Sequence, residues 1–365
     1  MRCIRSIGIV LHDFPLGGTE RIALRLAQAW IARGIAVTLF VGDDRGPLRA
    51  LLPPGARLVP ADPPVVRGRG SRRRLGRAAA DHFSRAPVDG LFVPGNFHWE
   101  IVPALARIPD RPVIVAQISS PLRMQQRGWL GQAVFERRMR RLLRDADALV
   151  AMGALHQEQA DAIMGRPTAT MIPLPALDDS RPAGAAAGGT ILGAGRLIRQ
   201  KGFDLLIDAF DGLNDPEAHL VIAGSGPEEQ ALAAQIARLG LGDRVTLAGF
   251  TPDIRPLLDS ARLFVMASRF EGYGAVILEA LGAGRPVVAT RSTPAVDDVL
   301  NDRERGIVVP VEDVPALAAA LCTMLDRLPP DPDRLAASVD RYRIGAGADA
   351  YLACFEQALV RKAAV

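Results

Sequence analysis

The sequence predicts an α/β protein made of two doubly wound parallel-sheet domains. Three observations carry that expectation. Residues 7–41 read as strand, turn, amphipathic helix and strand, the opening of a parallel sheet. From residue 190 onward the same alternation begins again and runs to about residue 328. Between the two series, residues 173–189 are rich in Pro, Ala, Gly and Asp, the composition of a linker. The chain has 365 residues, enough for two or three domains of usual size.

Composition narrows the functional classes. Hydrophobic residues make up 49% and charged residues 23%, which is ordinary for a globular protein. Aromatics are only 5%, so platforms for stacking nucleic-acid bases are not expected and no nucleic-acid partner is assigned. The net charge is +4, without a polybasic tail. Cys3, Cys322 and Cys354 have neither metal nor redox spacing, as expected for a reduced, cytoplasmic compartment. No secretory apolar core or membrane-length apolar stretch is visible, so the expected location is cytoplasmic, with at most peripheral contact at the inner face of the membrane.

In the first series, residues 7–11 form a buried strand and 12–20 a turn. Residues 20–33 form a helix with Ile22, Leu26, Ala29 and Trp30 on its apolar face, and Gly34 ends it. Gly17 and Gly18 lie where strand hands over to helix, a place where bare backbone meets a phosphate or the sugar attached to it. Glu20 either favours the helix N-terminus or serves an acceptor. Residues 59–85 are less regular and crowd Arg67, Arg69, Arg72, Arg73, Arg74 and Arg77 together. That cluster is a solvated helix start or a contact for anionic lipid headgroups, with RNA binding a distant third reading. Residues 88–93 form a strand, and His98 opens a helix to about residue 107 at the edge of the sheet where open α/β folds bind ligands. Residues 113–117 form the next strand, 130–144 a helix with a strongly basic face, and 148–152 a further strand.

The second series opens with a strand at 190–194, a turn at 195–202 holding Arg196 and Lys201, and a helix at 203–210. A strand at 219–223, a turn at 224–228, a helix to 239 and a strand at 245–248 follow. Residues 263–290 say most about function. They read as a strand, the turn Ser268-Arg269-Phe270-Glu271-Gly272-Tyr273-Gly274, a helix at 275–283 and the strand 287–290. The turn carries the carboxylate of Glu271, and the helix carries Glu279. Glycines 272 and 274 let a ligand approach the backbone, and the helix N-terminus offers free N–H groups. Carboxylates for hydroxyls beside N–H groups for negative oxygens suit a sugar joined to a phosphate. A strand at 306–309, a helix at 315–328 and a last helix from 348 to about 361 complete the chain.

Glu271 and Glu279, with seven residues between them, resemble the E-x7-E segment of the GT-B retaining glycosyltransferases, glycosyltransferase family 4 in particular. Gly17-Gly18-Thr19-Glu20-Arg21 resembles the GG-x-E-R opening of that family. Gly195-Arg196-Leu197, followed by Lys201-Gly202, resembles its G-R-L-x-x-x-K-G turn, and the run from Val221 to Glu229 resembles another hallmark. The resemblance covers nearly the whole chain and is strongest from 190 to 310.

It implies a GT-B fold in which two Rossmann-like domains face a central cleft: an acceptor domain at 1–178, a linker at 179–189 and a nucleotide-sugar domain at 190–345. The terminal helix, 346–365, is expected to cross back to the first domain. The implied reaction moves a hexose, with retention, from a nucleotide-diphosphate sugar to a saccharide acceptor, such as a lipid-linked glycan or a polysaccharide or lipopolysaccharide precursor. Arg196 and Lys201 match the residues that hold the donor diphosphate, Glu271 the sugar hydroxyls and Glu279 the ribose. A histidine near His98 faces the donor sugar in the family. Backbone at Gly17, Gly18, Gly195, Gly224, Gly226, Gly272, Tyr273 and Gly274 completes the expected donor site. Two departures stand out. Gln117 occupies a place where many relatives carry histidine, and residues 291–296 replace a Gly-Gly or Gly-Ile-Pro turn. Asp145-Ala146-Asp147 spells D-x-D, the metal motif of a different glycosyltransferase fold, but here it ends a helix. No metal or other cofactor is expected, and Arg and Lys hold the diphosphate instead. The alternatives are a GT-B epimerase of a UDP-sugar and a non-catalytic binding subunit.

Overall fold

A computed structural model describes residues 3–15, 17–123, 127–184, 188–213 and 215–363. Leu16 of the first turn and residues 185–187 of the expected linker lie outside the described residues. The chain forms two compact units, Met1–Pro175 with Ile344–Val365, and Ala176–Arg343.

In the first unit the order is β1 (Ser6–Leu11), α1 (Gly18–Ala32), β2 (Ala36–Val41), β3 (Arg57–Pro60), α2 (Ser71–Arg85) and β4 (Gly90–Val93). Then come α3 (Val102–Leu105), β5 (Val113–Ile118), α4 (Gly128–Leu143), β6 (Ala148–Ala151), α5 (Ala154–Met164) and β7 (Ala169–Met171). Among the described residues the sheet has seven strands in the order β3-β2-β1-β4-β5-β6-β7. Every pairing is parallel. Strands buried on both faces read as continuous apolar runs, which is why Ile7, Ile9, Val10 and Leu11 are all inaccessible to water.

The second unit holds β8 (Gly189–Ala194), α6 (Phe203–Asp211), β9 (Ala218–Ala223), α7 (Glu229–Arg238), β10 (Val245–Gly249), α8 (Arg255–Ser260) and β11 (Leu263–Met266). It continues through α9 (Ala275–Gly282), β12 (Val287–Thr290), α10 (Ala295–Val299), β13 (Gly306–Val309), α11 (Val314–Asp326) and α12 (Pro332–Ala337). Its sheet is parallel throughout, in the order β10-β9-β8-β11-β12-β13. The core gathers Leu206, Ile207 and Phe210 of α6 with Ile191, Leu220, Ile222 and Val265 of the strands.

The last helix, α13 (Ile344–Ala363), belongs to the first unit. Its Tyr351 and Phe355 pack edge-on against Trp30 of α1, and Trp30 donates its indole N–H to the Ala348 carbonyl at 3.1 Å. The helix starts four residues before the expected 348. Gly345 and Gly347 hide the start because glycine is a poor helix former. Gly347 is needed there: a Cβ would lie 2.4 Å from Pro175. Gln117 is buried and donates to the Tyr351 hydroxyl at 2.8 Å. Tyr351→Phe removes that acceptor and strands a buried amide, so we expect a loss of about 1–3 kcal/mol in urea denaturation; an unchanged midpoint would remove the bond from the fold's support.

Two stretches differ from the sequence reading. Residues 71–85, within a stretch read as less regular with at most a helix start, are the full helix α2; Leu75, Ala79 and Phe83 face inward, and the surrounding arginines mask that thin apolar stripe. The helix expected from His98 is instead a 3-10 turn, Asn96–Ile101, followed by the single turn of α3. A proline at 103 removes a backbone donor just where a longer helix would form.

Candidate functional site

In both sheets the strand order reverses direction at one place, between β1 and β4 and between β8 and β11. Helices leave the two strands there toward opposite faces, so a crevice opens at the carboxyl ends of the strands. The loops that border these crevices are 12–15 and 94–98 in the first unit, and 195–202 and 267–274 in the second.

The second-unit loops are tied together by side chains. Lys201 Nζ lies 2.6 Å from Glu271 Oε1, with the two side chains 19% and 9% exposed. Ser268 Oγ donates to the same carboxylate oxygen at 2.6 Å. Gln200 donates to the Phe270 carbonyl at 2.7 Å, and the Arg269 amide to the Gln200 carbonyl at 2.8 Å. Arg269 forks onto Asp204 at 2.8 and 2.7 Å and reaches Glu312 at 2.9 Å. Those carboxylates raise its pKa further, Asp204 most. Arg269, which sequence reasoning passed over, therefore braces one loop against the other. Gly202 completes the fit: its φ is +66° and a Cβ would stand 2.1 Å from the Ala267 carbonyl oxygen.

Arg196, on the same loop as Lys201, is exposed, and its guanidinium has no partner among the described residues. Gly274, in the left-handed region at φ 79°, begins α9, which has no side-chain cap, and Glu279 is half-buried on that helix. The Gly272 carbonyl accepts from Thr293 Oγ1 at 3.3 Å. Tyr273 turns its ring toward Tyr342, and burial first of all raises its pKa. Gly224 and Gly226 have a packing role: a Cβ at either would meet the Gly195 carbonyl oxygen at 1.8 Å or that of Leu197 at 2.3 Å. They let the 224–228 turn press on the Arg196 loop, where the Gly195 amide donates to Ala223 and that of Leu197 to Ser225, both at 2.9 Å.

At the first-unit crevice, His98 is fully buried and both ring nitrogens are engaged. Nδ1 donates to the Pro94 carbonyl at 2.7 Å, and Nε2 accepts the His12 amide at 3.2 Å. This joins the β1 loop to the β4 loop and favours a positioning role over direct contact with a sugar. Burial pushes its pKa down from 6.5 to about 4. As pH falls below about 6.5 the unfolded chain takes up a proton that the fold refuses until about pH 4, so stability is full above this window and lost through it. Denaturant midpoints of His98→Asn against wild type should show up to about 3 kcal/mol of that pH dependence removed; identical slopes would overturn it.

The residues missed here are His12, Asp13 and Arg67. His12 Nε2 meets Ser71 Oγ at 2.9 Å, while its Nδ1 is buried with no partner among the described residues. Arg67 binds Asp13 through contacts of 2.6 to 2.9 Å and lies over the Phe97 ring at 4.5 Å, with Arg72 over the same ring at 5.0 Å. Glu20 is buried 3.6 Å from Arg67, and burial raises its pKa. Gly17 makes room for that carboxyl, since a Cβ would sit 2.2 Å from it, whereas Gly18 faces open space. The D-x-D carboxylate of Asp147 is committed elsewhere, binding Arg111 and accepting the Ile114 amide at 2.8 Å.

Comparison with known proteins places these two crevices in a family context. Residues 188–327 match the model of the glycosyl transferases group 1, and residues 17–176 match that of the glycosyl transferase 4-like domain. The chain is similar to the lipopolysaccharide core biosynthesis glycosyltransferase LpsE of Rhizobium meliloti, 36% identical over 146 residues, 40% of this chain and 42% of that one. It is also similar to the mannosyltransferase LpsB of the same organism, 33% identical over 153 residues, again 40% and 42%. The match spans under half the length of these relatives. The backbone is similar to the apo form of the lipopolysaccharide outer core galactosyltransferase WaaB, with TM-score 0.73, 15% identity, and 98% and 99% of the two chains covered. Anabaena HepE in complex with UDP gives TM-score 0.68, 19% identity and the same coverage. These likenesses give the fold, which is GT-B.

Proposed function

We propose, for a chain that belongs to the group 1 glycosyltransferase family, the transfer of a hexose from a nucleotide-diphosphate sugar to a saccharide acceptor, with retention of configuration. The observation that carries this is the Lys201–Glu271 pair at the β8/β11 crevice, with Arg196 on the same loop and without a partner among the described residues. Two cations and an open helix N-terminus suit a diphosphate, and a buried carboxylate suits sugar hydroxyls. In the reaction the bond from the anomeric carbon to the diphosphate breaks, a bond to the acceptor hydroxyl forms, and the hydroxyl proton leaves with the phosphate. Negative charge grows on the departing diphosphate, so Arg196 and Lys201 act where charge develops. Glu271 orients the sugar and Glu279 holds the ribose.

Because Lys201 already faces Glu271, an arriving diphosphate competes with that carboxylate for the lysine. Binding then releases the carboxylate toward the sugar, which couples the two contacts. The first unit supplies the acceptor side, with the Gly18 backbone and the Glu20, Asp13 and Arg67 group at its crevice. A lipid-linked glycan or a lipopolysaccharide precursor, met at the inner face of the membrane, is the acceptor we favour, in keeping with the relatives named above.

Mass spectrometry of products from a panel of UDP-, GDP- and dTDP-sugars tests the reading. A sugar-extended acceptor supports it, an isomerised donor would make the chain an epimerase, and no turnover would make it a binding subunit. Turnover should also survive EDTA, since two cations stand by the proposed diphosphate and Asp147 is engaged with Arg111. Loss in EDTA with recovery in Mn²⁺ would contradict this.

A further inference from the structure

The outer face of α4 leaves large apolar side chains in water. Trp129 is 81% exposed, Leu130 60% and Val134 69%. Met139 and Leu143 form the buried side of the same helix. Leu130, Val134, Arg137, Arg141 and Arg144 follow one another at steps of three and four, so they share a single stripe that is apolar at its start and cationic after it. Arg137 and Arg141 have no partner among the described residues. The one acidic residue of the helix, Glu136, is engaged with Arg123 at 3.2 Å, off this stripe. Next to it, Arg138 meets Glu100, which also takes Arg72 at 3.2 Å and so links α4 to the basic start of α2.

We propose that α4 is an interfacial helix that lies on an anionic lipid surface, with Trp129, Leu130 and Val134 seated among the headgroups and the arginines against lipid phosphates. This deepens the membrane side of the function proposed above and rests on it for the choice of acceptor. Two observations favour lipid as the occupant. An apolar stripe continued by arginines fits a surface that is apolar inside and anionic outside. Tryptophan at 81% exposure is suited to headgroup depth. Position agrees as well. α4 follows β5, so its apolar end lies at the carboxyl edge of the sheet, the edge that carries Gly18 and the His12 loop. A lipid-linked acceptor would thus arrive at the edge that binds it. Sixteen residues give the helix a length of about 24 Å, enough to lay both halves of the stripe on one surface.

The test is co-sedimentation at low salt with vesicles of phosphatidylcholine containing about 30% phosphatidylglycerol, against phosphatidylcholine alone. Trp30 and Trp99 are only 0% and 3% exposed, so a fluorescence blue shift on binding reports Trp129 and should vanish in Trp129→Phe. The double variant Leu130→Glu, Val134→Glu should lower the bound fraction about tenfold or more. Arg137→Gln and Arg141→Gln should each weaken binding about fivefold. Turnover on a soluble acceptor should be unchanged in all of them. No sedimentation, sedimentation that the α4 variants leave intact, binding without a fluorescence shift, or a lipid-free dimer that the variants abolish would each overturn the proposal. Failure of the transferase reading would show separately, as no turnover in vesicle-free solution.

Discussion

Lys201→Ala is expected to lower kcat by about 10²–10³-fold in a protein that folds normally. The lysine sits 2.6 Å from Glu271 at the β8/β11 crevice, on the loop that also carries Arg196. As the sugar departs, charge accumulates on the diphosphate, and a cation held beside it stabilises the transition state more than the bound donor. The loss therefore falls on kcat. Arg196→Ala should fall in the same range, because no other group among the described residues holds that guanidinium. Its exposure also means that removal costs the fold little. Glu279→Ala is the contrast: ribose contacts change little during reaction, so the donor KM rises and kcat holds. Steady-state kinetics on the three variants separates these outcomes. Near-wild-type kcat in both cation variants would mean the diphosphate lies elsewhere.

Glu271→Gln should move binding and turnover in opposite directions. Glutamine keeps the shape of the side chain and the hydrogen bond from Ser268 Oγ, now 2.6 Å long. It removes the charge that competes with a diphosphate for Lys201. The nucleoside diphosphate should bind about 3–10-fold tighter, part of one charge-assisted hydrogen bond. Transfer should slow by about 10–100-fold, because a neutral amide orients sugar hydroxyls less firmly than a carboxylate. Titration calorimetry and initial rates on one preparation read both quantities. Weaker diphosphate binding in this variant would make the pair a brace between loops rather than a competitor for the ligand.

Much of the second unit was legible in the sequence because its signals are local. An apolar run, a glycine turn and a helical repeat within 263–290 suffice to place Glu271 on a loop and Glu279 on the helix behind it. The parallel order then brings the Lys201 loop alongside, since β8 and β11 are neighbours. The sequence alone did not reveal that Lys201 and Glu271 meet, that Arg269 braces both loops, or that Gly224 and Gly226 serve packing. Each of these is a contact between residues distant in sequence, and spacing along the chain carries no trace of it. In the first unit the Arg67 cluster read as one basic surface, yet Arg67 turns to Asp13 and Arg72 to Glu100, both over the Phe97 ring, while Arg69, Arg73, Arg74 and Arg77 are exposed. Side-chain direction at a helix start depends on the loop before it, and composition cannot show that. His98 was read as facing a ligand because of its place at the sheet edge. It instead donates to the Pro94 carbonyl of its own loop and accepts the amide of His12, which follows β1, a strand that lies beside β4 only in the folded sheet.

Titration of UDP, GDP and dTDP into wild type, Lys201→Ala and Arg196→Ala tests the diphosphate site most directly, because it needs neither the sugar nor the acceptor to be known. One of the three nucleotides should bind the wild type, and each cation variant should bind it about tenfold or more weakly, the worth of a charged hydrogen bond. Equal affinity in all three proteins would contradict a diphosphate site at the β8/β11 crevice.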